Sequence, residues 1–213
     1  VIHSHGDPYV RTPNMDRLTA GGVALSNCYC PSPLCVPSRS AMLSGLRPHR
    51  TGIFSNFQCL RSDEPTFVNA LALAGYETIL VGRMHFVGPD QRHGYVKRLV
   101  GDITPTTIGI PQESYGVLHG TTGQNLRAVE MSGPGHSAVL QYDADVLEAT
   151  LQCLAEHRDA AQPLFLTVGF YGPHCPYVCP PDLYDYYYEV LPPPELEDDF
   201  KRRVHPAVRR WYA

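Results

Sequence analysis

The segment Thr78-Ile79-Leu80-Val81-Gly82-Arg83-Met84-His85 decides the fold. Its first four residues form a short, continuous apolar run, which is typical of a strand buried on both faces of a parallel sheet. A second apolar run, Leu164–Phe170, has the same character and is followed closely by Gly172-Pro173-His174. Ligands of open α/β sheets lie outside the carboxyl ends of the strands. We therefore expect the polar residues that follow these two strands to converge at one edge of the sheet.

Helical patterns separate these strands. Thr66–Ala74 is amphipathic and closes at Gly75, whereas Ser137–His157 is the longest helix candidate. The apolar side expected for this long helix consists of Val139, Leu140, Val146, Leu147, Leu151 and Leu154. Thr12-Pro13 predicts a helix start, and partial alternation in Val23–Tyr29 predicts a further strand. Such alternation predicts an α/β fold with a mostly parallel sheet flanked by helices.

The segment from Gly88 to Gly135 interrupts this alternation. It is rich in Gly, Pro and Thr and has weak periodicity, so we interpret residues 88–135 as a loop-rich excursion over the active-site face. A length of 213 residues favours one domain over residues 1–213. A chain of this length buries roughly 70% of its unfolded surface, which allows a core without disulfides or metals.

Composition and charge narrow the class of function. The net charge of −4 argues against nucleic acid as a partner. The apolar runs are shorter than the roughly 20 residues that cross a membrane, and Val1–His5 lacks the features of a signal peptide. Seven cysteines, an odd number, favour a reducing compartment, so we expect a cytoplasmic location. The spacings Cys28-x-Cys30 and Cys175-x3-Cys179 differ from the usual zinc pattern, which favours ordinary buried or loop thiols.

The run Cys35-Val36-Pro37-Ser38-Arg39-Ser40-Ala41-Met42-Leu43-Ser44-Gly45 contains the candidate nucleophile. Prolines around it place Cys35 in a loop, before a helix from Ser38 to Leu46 with Met42 facing inward. Arg39 and the free N–H groups of the helix start would form a corner that favours anions. For the cysteine and the arginine alone, a buried loop thiol beside a surface cation is the alternative.

Two histidines follow the two apolar strands. His85 and Arg83 leave the same strand, and they offer hydrogen-bond donors to an anion and a side chain suited to proton transfer near neutral pH. His174 lies between two prolines, which would hold its imidazole in place. The alternatives are a satisfied structural histidine for His85 and a loop histidine packed on Tyr177 for His174.

Four motifs together resemble the type I sulfatases of the alkaline-phosphatase-like superfamily. They occur in the order and at the spacings of that family, and the resemblance covers most of residues 8–190. The motifs are Thr12-Pro13-Asn14-Met15-Asp16-Arg17-Leu18, the run from Cys35 to Gly45, Gly82-Arg83-Met84-His85 and Gly172-Pro173-His174-Cys175-Pro176-Tyr177. Met84-His85-Phe86-Val87-Gly88-Pro89-Asp90-Gln91 is most similar to the choline-sulfatase-like branch.

The resemblance implies an alkaline-phosphatase/sulfatase-like fold and a role for each matching residue. Cys35 would be oxidised to formylglycine, which serves the family as nucleophile and metal ligand, and Arg39 would hold its hydrate. His85 would stabilise the hydrate or help to expel sulfate. His174 would contact the sulfate ester and protonate the leaving alcohol. Arg83 would bind sulfate; it stands where the family usually has lysine, and arginine keeps the charge but cannot release its proton.

The resemblance also implies a Ca²⁺ or Mg²⁺ ion, which needs about six oxygen ligands. The family takes these from acidic pairs that precede the Thr-Pro-Asn helix or follow the second histidine motif, and no residue here matches them. We therefore expect residues 1–213 to be a partial sulfatase catalytic domain, incomplete at both ends. Cys35, as formylglycine, would be its one metal ligand.

The expected function is hydrolysis of sulfate esters through a formylglycine derived from Cys35, which makes the protein a sulfuric-ester hydrolase. The expected partners are a small anionic sulfate ester and a formylglycine-generating enzyme, with neither nucleic acid nor membrane; a homo-oligomer is left open. Two alternatives stay open. One is a phosphonate or phosphate monoester hydrolase of the same superfamily, and the other is a non-catalytic sulfatase-like binding protein.

Overall fold

The structure is a computed structural model that describes residues 2–104, 126–193, 195 and 199–206. These residues group into two compact units. Residues 25–181 form the larger unit, which contains the main sheet. Residues 2–24 and the described residues from 182 onward form the smaller unit. Within the smaller unit, the Arg11 backbone N–H donates to Tyr187 Oη at 3.0 Å, and the Arg11 guanidinium lies 3.6 Å from the centre of the Tyr186 ring.

Helices and strands are interspersed along the chain, with four helices before the first strand. The helices are α1 (Pro13–Gly21), α2 (Cys35–Ser44), α3 (Pro48–Thr51), α4 (Phe67–Leu73), α5 (Leu126–Glu130), α6 (Ala138–Glu156), α7 (Pro181–Val190) and α8 (Phe200–Arg203). The strands are β1 (Glu77–Gly82), β2 (Lys97–Leu99), β3 (Gly133–Pro134), β4 (Leu164–Gly169) and β5 (Val178–Cys179). Among the helices of the described ranges, none combines the length and the apolar character that crossing a membrane requires.

Within the described residues, the main sheet has three parallel strands in the order β2-β1-β4. The central strand β1 pairs in register with β4 along its whole length, from Glu77 opposite Leu164 to Gly82 opposite Gly169. Because both strands end at this pair of glycines, the chain leaves them at the same edge of the sheet. A second, two-stranded sheet pairs β3 with β5, also in parallel. The predicted parallel sheet is confirmed.

Strand β1 is buried on both faces because its successive side chains alternate between two apolar layers. Ile79 and Val81 pack against Tyr142 and Val146 of α6. Leu80 packs on the opposite face against α2 and α4. Each of these buried aliphatic side chains contributes roughly 1.5–3 kcal/mol to folding. Helices therefore cover both faces of the sheet, which confirms the predicted α/β fold.

Helix α6 confirms the predicted helix and, of its predicted apolar side, the burial of Val139 and Val146, but not that of most of the leucines. Ser137 is the N-cap, and its side chain accepts from Leu140 N at 3.3 Å. The buried stripe consists of Val139, Tyr142, Val146, Thr150 and Cys153. Three of the four leucines expected inside are about half exposed, namely Leu147, Leu151 and Leu154, whereas Leu140 is partly buried. Both stripes repeat every three or four residues, so periodicity alone does not choose between them.

Two local expectations are corrected by the structure. Val23–Tyr29 forms no strand and its large side chains are exposed, because neither sheet in the described residues offers it a partner strand. Cys35 lies not in a loop but at the first position of α2. Pro37 is tolerated in the first turn of that helix, where backbone N–H groups have no partner within the helix.

The segment interpreted as a loop-rich excursion contains regular structure. Residues 88–135 include β2, which is the third strand of the main sheet, and also α5 and β3. The remainder of the excursion, residues 105–125, lies outside the described residues. Strand β2 has only three residues and carries Lys97 and Arg98, so it lacks the apolar run that identified β1 and β4.

Candidate active site

Two strand exits meet at the carboxyl edge of the main sheet. Gly82 and Gly169 face each other at the ends of β1 and β4, and Arg83 N donates to Gly169 O at 2.8 Å. A Cβ atom at residue 169 would lie only 2.7 Å from the Arg83 carbonyl carbon and 2.8 Å from the Arg83 nitrogen. Glycine at this position therefore allows the chain after β1 to cross the end of β4. This crossing brings Arg83 and His85 towards the segment that carries His174.

The candidate nucleophile begins α2. Cys35 is the first helical residue, and Arg39 lies one turn further along the same face. Val36 N, one of the free N–H groups of the helix start, donates to Asn56 Oδ1 at 3.0 Å. Asn56 therefore caps α2 from a position 20 residues away in the chain. No local pattern in the sequence indicated this contact.

A cleft of about 760 Å³ opens at the start of α2. Cys35, Arg39 and His174 all line it, so the candidate nucleophile, a candidate anion ligand and a candidate acid share one cavity. Met42, which was expected to face inward, lines the same cleft and is 55% exposed. The uncharged polar groups in the wall include the Asn56 side chain.

Arg39 forms no ion pair within 4 Å among the described residues, and its Nη1 lies 3.6 Å from Met84 Sδ. Burial lowers the pKa of its guanidinium, and the positive charge of Arg83 lowers it further. Arginine nevertheless keeps its proton at neutral pH. This partly buried cation is therefore available to an anion in the cleft.

Arg83 is buried, with its side chain 5% exposed. Its Nη2 donates to His85 Nδ1 at 3.1 Å, and its guanidinium lies 4.3 Å from the centre of the Tyr171 ring. Its Nε lies 3.8 Å from Asp102 Oδ1 but has no hydrogen-bond partner in the described part of the chain. The structure thus places Arg83 against His85 rather than in the wall of the cleft.

His85 has a backbone conformation that is uncommon for its residue type. Its φ is 54°, a left-handed value that costs of order 1–3 kcal/mol outside glycine. Its backbone N–H donates to Asp102 Oδ2 at 2.7 Å, which fixes this conformation. Burial lowers the pKa of the imidazole to about 4, and the charge of Arg83 is the second cause. His85 is therefore neutral at pH 7, and because Arg83 can only donate, Nδ1 accepts and the proton lies on Nε2.

A carboxylate of α6 holds the exit that carries His174. Asp143 accepts from Tyr171 N at 2.6 Å and from Gly172 N at 2.9 Å. The centre of the Tyr171 ring lies 4.8 Å from that of the His174 ring. His174 Nδ1 lies 3.2 Å from Cys175 O, which leaves Nε2 for a ligand. Burial lowers the pKa of His174, so its neutral form is favoured at neutral pH.

The structure places three of the five predicted site residues in one cleft and pairs the other two, Arg83 and His85, with each other outside its lining, all within the larger unit. The five residues are Cys35, Arg39, Arg83, His85 and His174. Sequence reasoning missed three residues that hold them in place, namely Asn56, Asp102 and Asp143. Each of the three accepts from a backbone N–H that is at least 17 residues away in the chain. Short sequence motifs carry no signal for contacts of that range.

The described side chains do not form the expected Ca²⁺ or Mg²⁺ site. Within the ranges that the structure describes, no group of three His, Cys, Asp or Glu side chains is placed to hold a metal ion. Asp102, the buried carboxylate beside His85, is already shared by Arg83 at 3.8 Å and Arg98 at 3.6 Å. A hard cation needs about six oxygen ligands, and these residues do not supply them.

Two solved structures have a fold similar to that of this chain. The structure of BT4656 in complex with its substrate D-glucosamine-2-N,6-O-disulfate aligns with a TM-score of 0.63 and 22% sequence identity, over 90% of this chain and 35% of that one. The phosphonate monoester hydrolase of Agrobacterium radiobacter aligns with a TM-score of 0.58 and 17% identity, over 87% of this chain and 40% of that one. At such identities the likeness shows the fold alone, which is the sulfatase/alkaline-phosphatase-like fold.

Curated proteins match at higher identity. A choline-sulfatase of Rhizobium meliloti is 35% identical over 187 residues, which cover 84% of this chain and 36% of the relative. A sulfatase of Formosa agariphila is 30% identical over 208 residues, which cover 89% of this chain and 40% of the relative. The chain thus spans about two fifths or less of the length of these two relatives. The sulfatase family profile matches residues 2–198, and the chain therefore belongs to the sulfatase family.

Proposed function

We propose that the chain carries the nucleophile-bearing part of a sulfuric-ester hydrolase, in which residue 35 acts as formylglycine. The observation that carries this proposal is the shared cleft of Cys35, Arg39 and His174. A nucleophile, an anion ligand and a proton donor are the groups that cleavage of a charged ester needs. Membership of the sulfatase family supports a sulfate ester as the substrate class.

The position of Cys35 suits both the modification and the attack. The residue lines the cleft and is partly exposed, so a formylglycine-generating enzyme and a small ester could reach it. When present, formylglycine supplies a hydrated aldehyde, one hydroxyl of which attacks sulfur while the other allows the sulfate to be released. The contact between Asn56 and Val36 fixes the first turn of α2, so residue 35 is held in a defined direction.

The two arginines would stabilise negative charge in different ways. Arg39 lines the cleft without an ion-pair partner within 4 Å in the described residues, so it would contact the sulfate or the hydrate directly. Arg83 is buried and donates to His85 Nδ1, so it would act on the site mainly through that ring. Preorganised positive charge in a partly dry cleft is usually the largest catalytic contribution.

The two histidines would have different roles. His85 is held neutral with its proton on Nε2, which suits donation of a hydrogen bond to an oxygen of the hydrate or the departing sulfate. His174 lines the cleft with Nδ1 against the Cys175 carbonyl, so Nδ1 carries a proton and Nε2 of the neutral ring is an acceptor. Nε2 would protonate the leaving alcohol from the imidazolium form, which a bound sulfate ester would favour through its negative charge. The family implies a Ca²⁺ or Mg²⁺ ion in the complete protein, but no role of the residues above depends on it.

Mass spectrometry of the peptide that contains Cys35 tests the proposal first. After co-expression with a formylglycine-generating enzyme, we expect the mass of residue 35 to change from that of a thiol to that of an aldehyde. Cys28 is the matched control, because it is exposed and does not line the cleft, and it should stay a thiol. An unmodified residue 35 in a competent host would contradict the formylglycine mechanism. It would favour a non-catalytic sulfate-ester-binding protein.

Hydrolysis of paired aryl esters tests the substrate class. We expect the modified protein to release more phenol from an aryl sulfate than from the matching phosphate or phosphonate ester. The reverse preference would favour a phosphonate or phosphate monoester hydrolase, whose fold is shared.

All seven cysteines are free thiols, which supports our proposal of a reducing, cytoplasmic compartment.

A further inference from the structure

Asp102 holds the site together although it does not line the cleft. It follows β2, and its side chain is 2% exposed. One oxygen accepts from His85 N at 2.7 Å, and the other accepts from Thr104 Oγ1 at 2.9 Å. The same carboxylate lies 3.8 Å from Arg83 Nε and 3.6 Å from Arg98 Nη2. A single buried carboxylate therefore contacts both a strained backbone and two cations.

The charges around Asp102 do not balance within the described residues. Arg83 and Arg98 share this one carboxylate, and the buried Nε of each lacks a hydrogen-bond partner in the described part of the chain. The charges of Arg39 and Arg83 also act on His85 and disfavour its protonated form. Since buried cations need compensation, this excess of positive charge suits an anion. Asp102 thus offsets only part of the positive charge of the site.

The geometry indicates a second role for Asp102, beyond its negative charge. The left-handed backbone of His85 is uncommon for histidine and persists only where its surroundings enforce it. The Asp102 acceptor on His85 N provides that enforcement. The resulting conformation places His85 Nδ1 3.1 Å from Arg83 Nη2. Without the carboxylate, both the backbone of His85 and the guanidinium of Arg83 lose the group that orients them.

We infer that Asp102 is a positioning residue, which orients Arg83 and His85 and acts on the anion site through them. Its effect on turnover rests on the function proposed above, whereas its effect on the His85 imidazole does not. In the part of the chain that the structure describes, four ionisable groups act on that imidazole: Arg83, Asp102, Arg39 and His174. The inference therefore has a test that needs neither substrate nor activity.

The test is the titration of the His85 imidazole, followed by NMR of the full chain, in Asp102→Ala and Asp102→Asn. Loss of the carboxylate charge alone lowers the pKa of His85, because that charge favours the protonated form. If the imidazole ring instead moves away from Arg83 and becomes exposed, the pKa of His85 rises towards its ordinary value of about 6.5. Positioning therefore predicts that Asp102→Ala raises the pKa from about 4 to above about 5. Asp102→Asn keeps an acceptor for His85 N, so it should not raise the pKa.

Two outcomes would overturn the inference. In one, Asp102→Ala leaves the pKa and the resonances of His85 unchanged; in the other, it lowers the pKa as a pure loss of charge would. If the Asp102→Ala chain does not fold, Asp102→Val tests the same expectation, because valine also lacks an acceptor and leaves a smaller buried gap. Asp90→Ala is the control, because Asp90 also accepts from two backbone N–H groups but does not contact His85. If Asp90→Ala raised the pKa of His85 by the same amount, the rise would not depend on contact with His85, and the inference would be wrong.

Kinetics then separate this inference from the proposed function. If the modified protein hydrolyses an aryl sulfate, Asp102→Ala should lower kcat/KM by about tenfold or more, with most of the loss in kcat, because orientation matters chiefly in the transition state. A loss confined to KM would contradict positioning. If the protein hydrolyses no sulfate ester, the proposed function fails, whereas the titration of His85 still decides the role of Asp102.

Discussion

Replacing Gly169 with alanine should damage both the stability and the site geometry of this protein. The new Cβ would lie 2.7 Å from the carbonyl carbon of Arg83, whereas ordinary contacts begin at 3.4 Å. The Arg83 carbonyl oxygen would lie closer still, so the two strand exits must separate by more than the roughly 0.7 Å that the carbon contact alone requires, and neither can yield easily because these atoms belong to the backbone. Overpacking of this kind costs about 1–3 kcal/mol of the free energy of unfolding. A displacement approaching 1 Å can also lower an enzymatic rate about 10²-fold.

Urea denaturation and the NMR resonances of His85 measure these two effects. We expect the unfolding midpoint of Gly169→Ala to fall with an unchanged m value, and the His85 resonances to move. Gly101→Ala is the matched control, because a Cβ there meets nothing within 4 Å and the backbone is not left-handed. The reasoning is refuted if Gly169→Ala unfolds at the same midpoint as Gly101→Ala and leaves the His85 resonances in place.

Three further predictions concern contacts that hold the elements around the site. Asn56→Ala should lower the free energy of unfolding by about 1 kcal/mol through loss of the α2 cap, measured in urea; Asn56→Asp should restore most of it. Tyr142→Phe should lower the free energy of unfolding by about 1–3 kcal/mol in the same assay, since it removes the buried 2.7 Å hydrogen bond from Tyr142 Oη to Gly101 O. An unchanged urea midpoint would contradict this prediction. The Cys153 carbonyl and then Glu77 raise the pKa of His157. Its stabilisation should therefore be complete below about pH 6.5 and be lost as pH rises through the raised pKa, and His157→Gln should remove this pH dependence of the urea midpoint.

Much of the fold could be predicted from continuous apolar segments, because these are visible in the local sequence. The apolar runs of β1 and β4 lie between two layers, so every side chain is buried or partly buried and the pattern is continuous. Parallel pairing then places the residues after both strands at one edge, as expected. Strand β2 escaped this reasoning because it is short, lies at the edge of the main sheet and carries two charged residues.

The start of α2 shows how a local rule can mislead. Prolines near Cys35 suggested a loop, yet Pro37 occupies the first turn of the helix, where a missing N–H costs nothing. The cap of this helix comes from Asn56, on a loop that Gln58 fixes through hydrogen bonds to three backbone groups. A helix that is capped from a distant loop has no start signal of its own in the sequence.

The groups that orient the site were the hardest to predict. Cys35 and the two histidines belong to runs that could be recognised, but Asp102 and Asp143 are single acidic residues without a pattern. Their importance arises from burial and from hydrogen bonds to backbone N–H groups of other elements. Such contacts form only after the sheet and α6 have assembled, so they are a property of the tertiary structure.

The facing glycines at the ends of β1 and β4 have a consequence for how such a protein can be altered. Inserting or deleting one residue in β1 alone would shift Arg83 by about 3.3 Å along the sheet and turn its side chain to the opposite face. The same change in β4 would displace His174 instead. The positions of Arg83 and His174 therefore both depend on the register between these two strands. A chimera of related proteins should exchange residues 77–85 and 164–174 together. Exchanging only one of the two segments would change the register between the strands and displace Arg83 relative to His174.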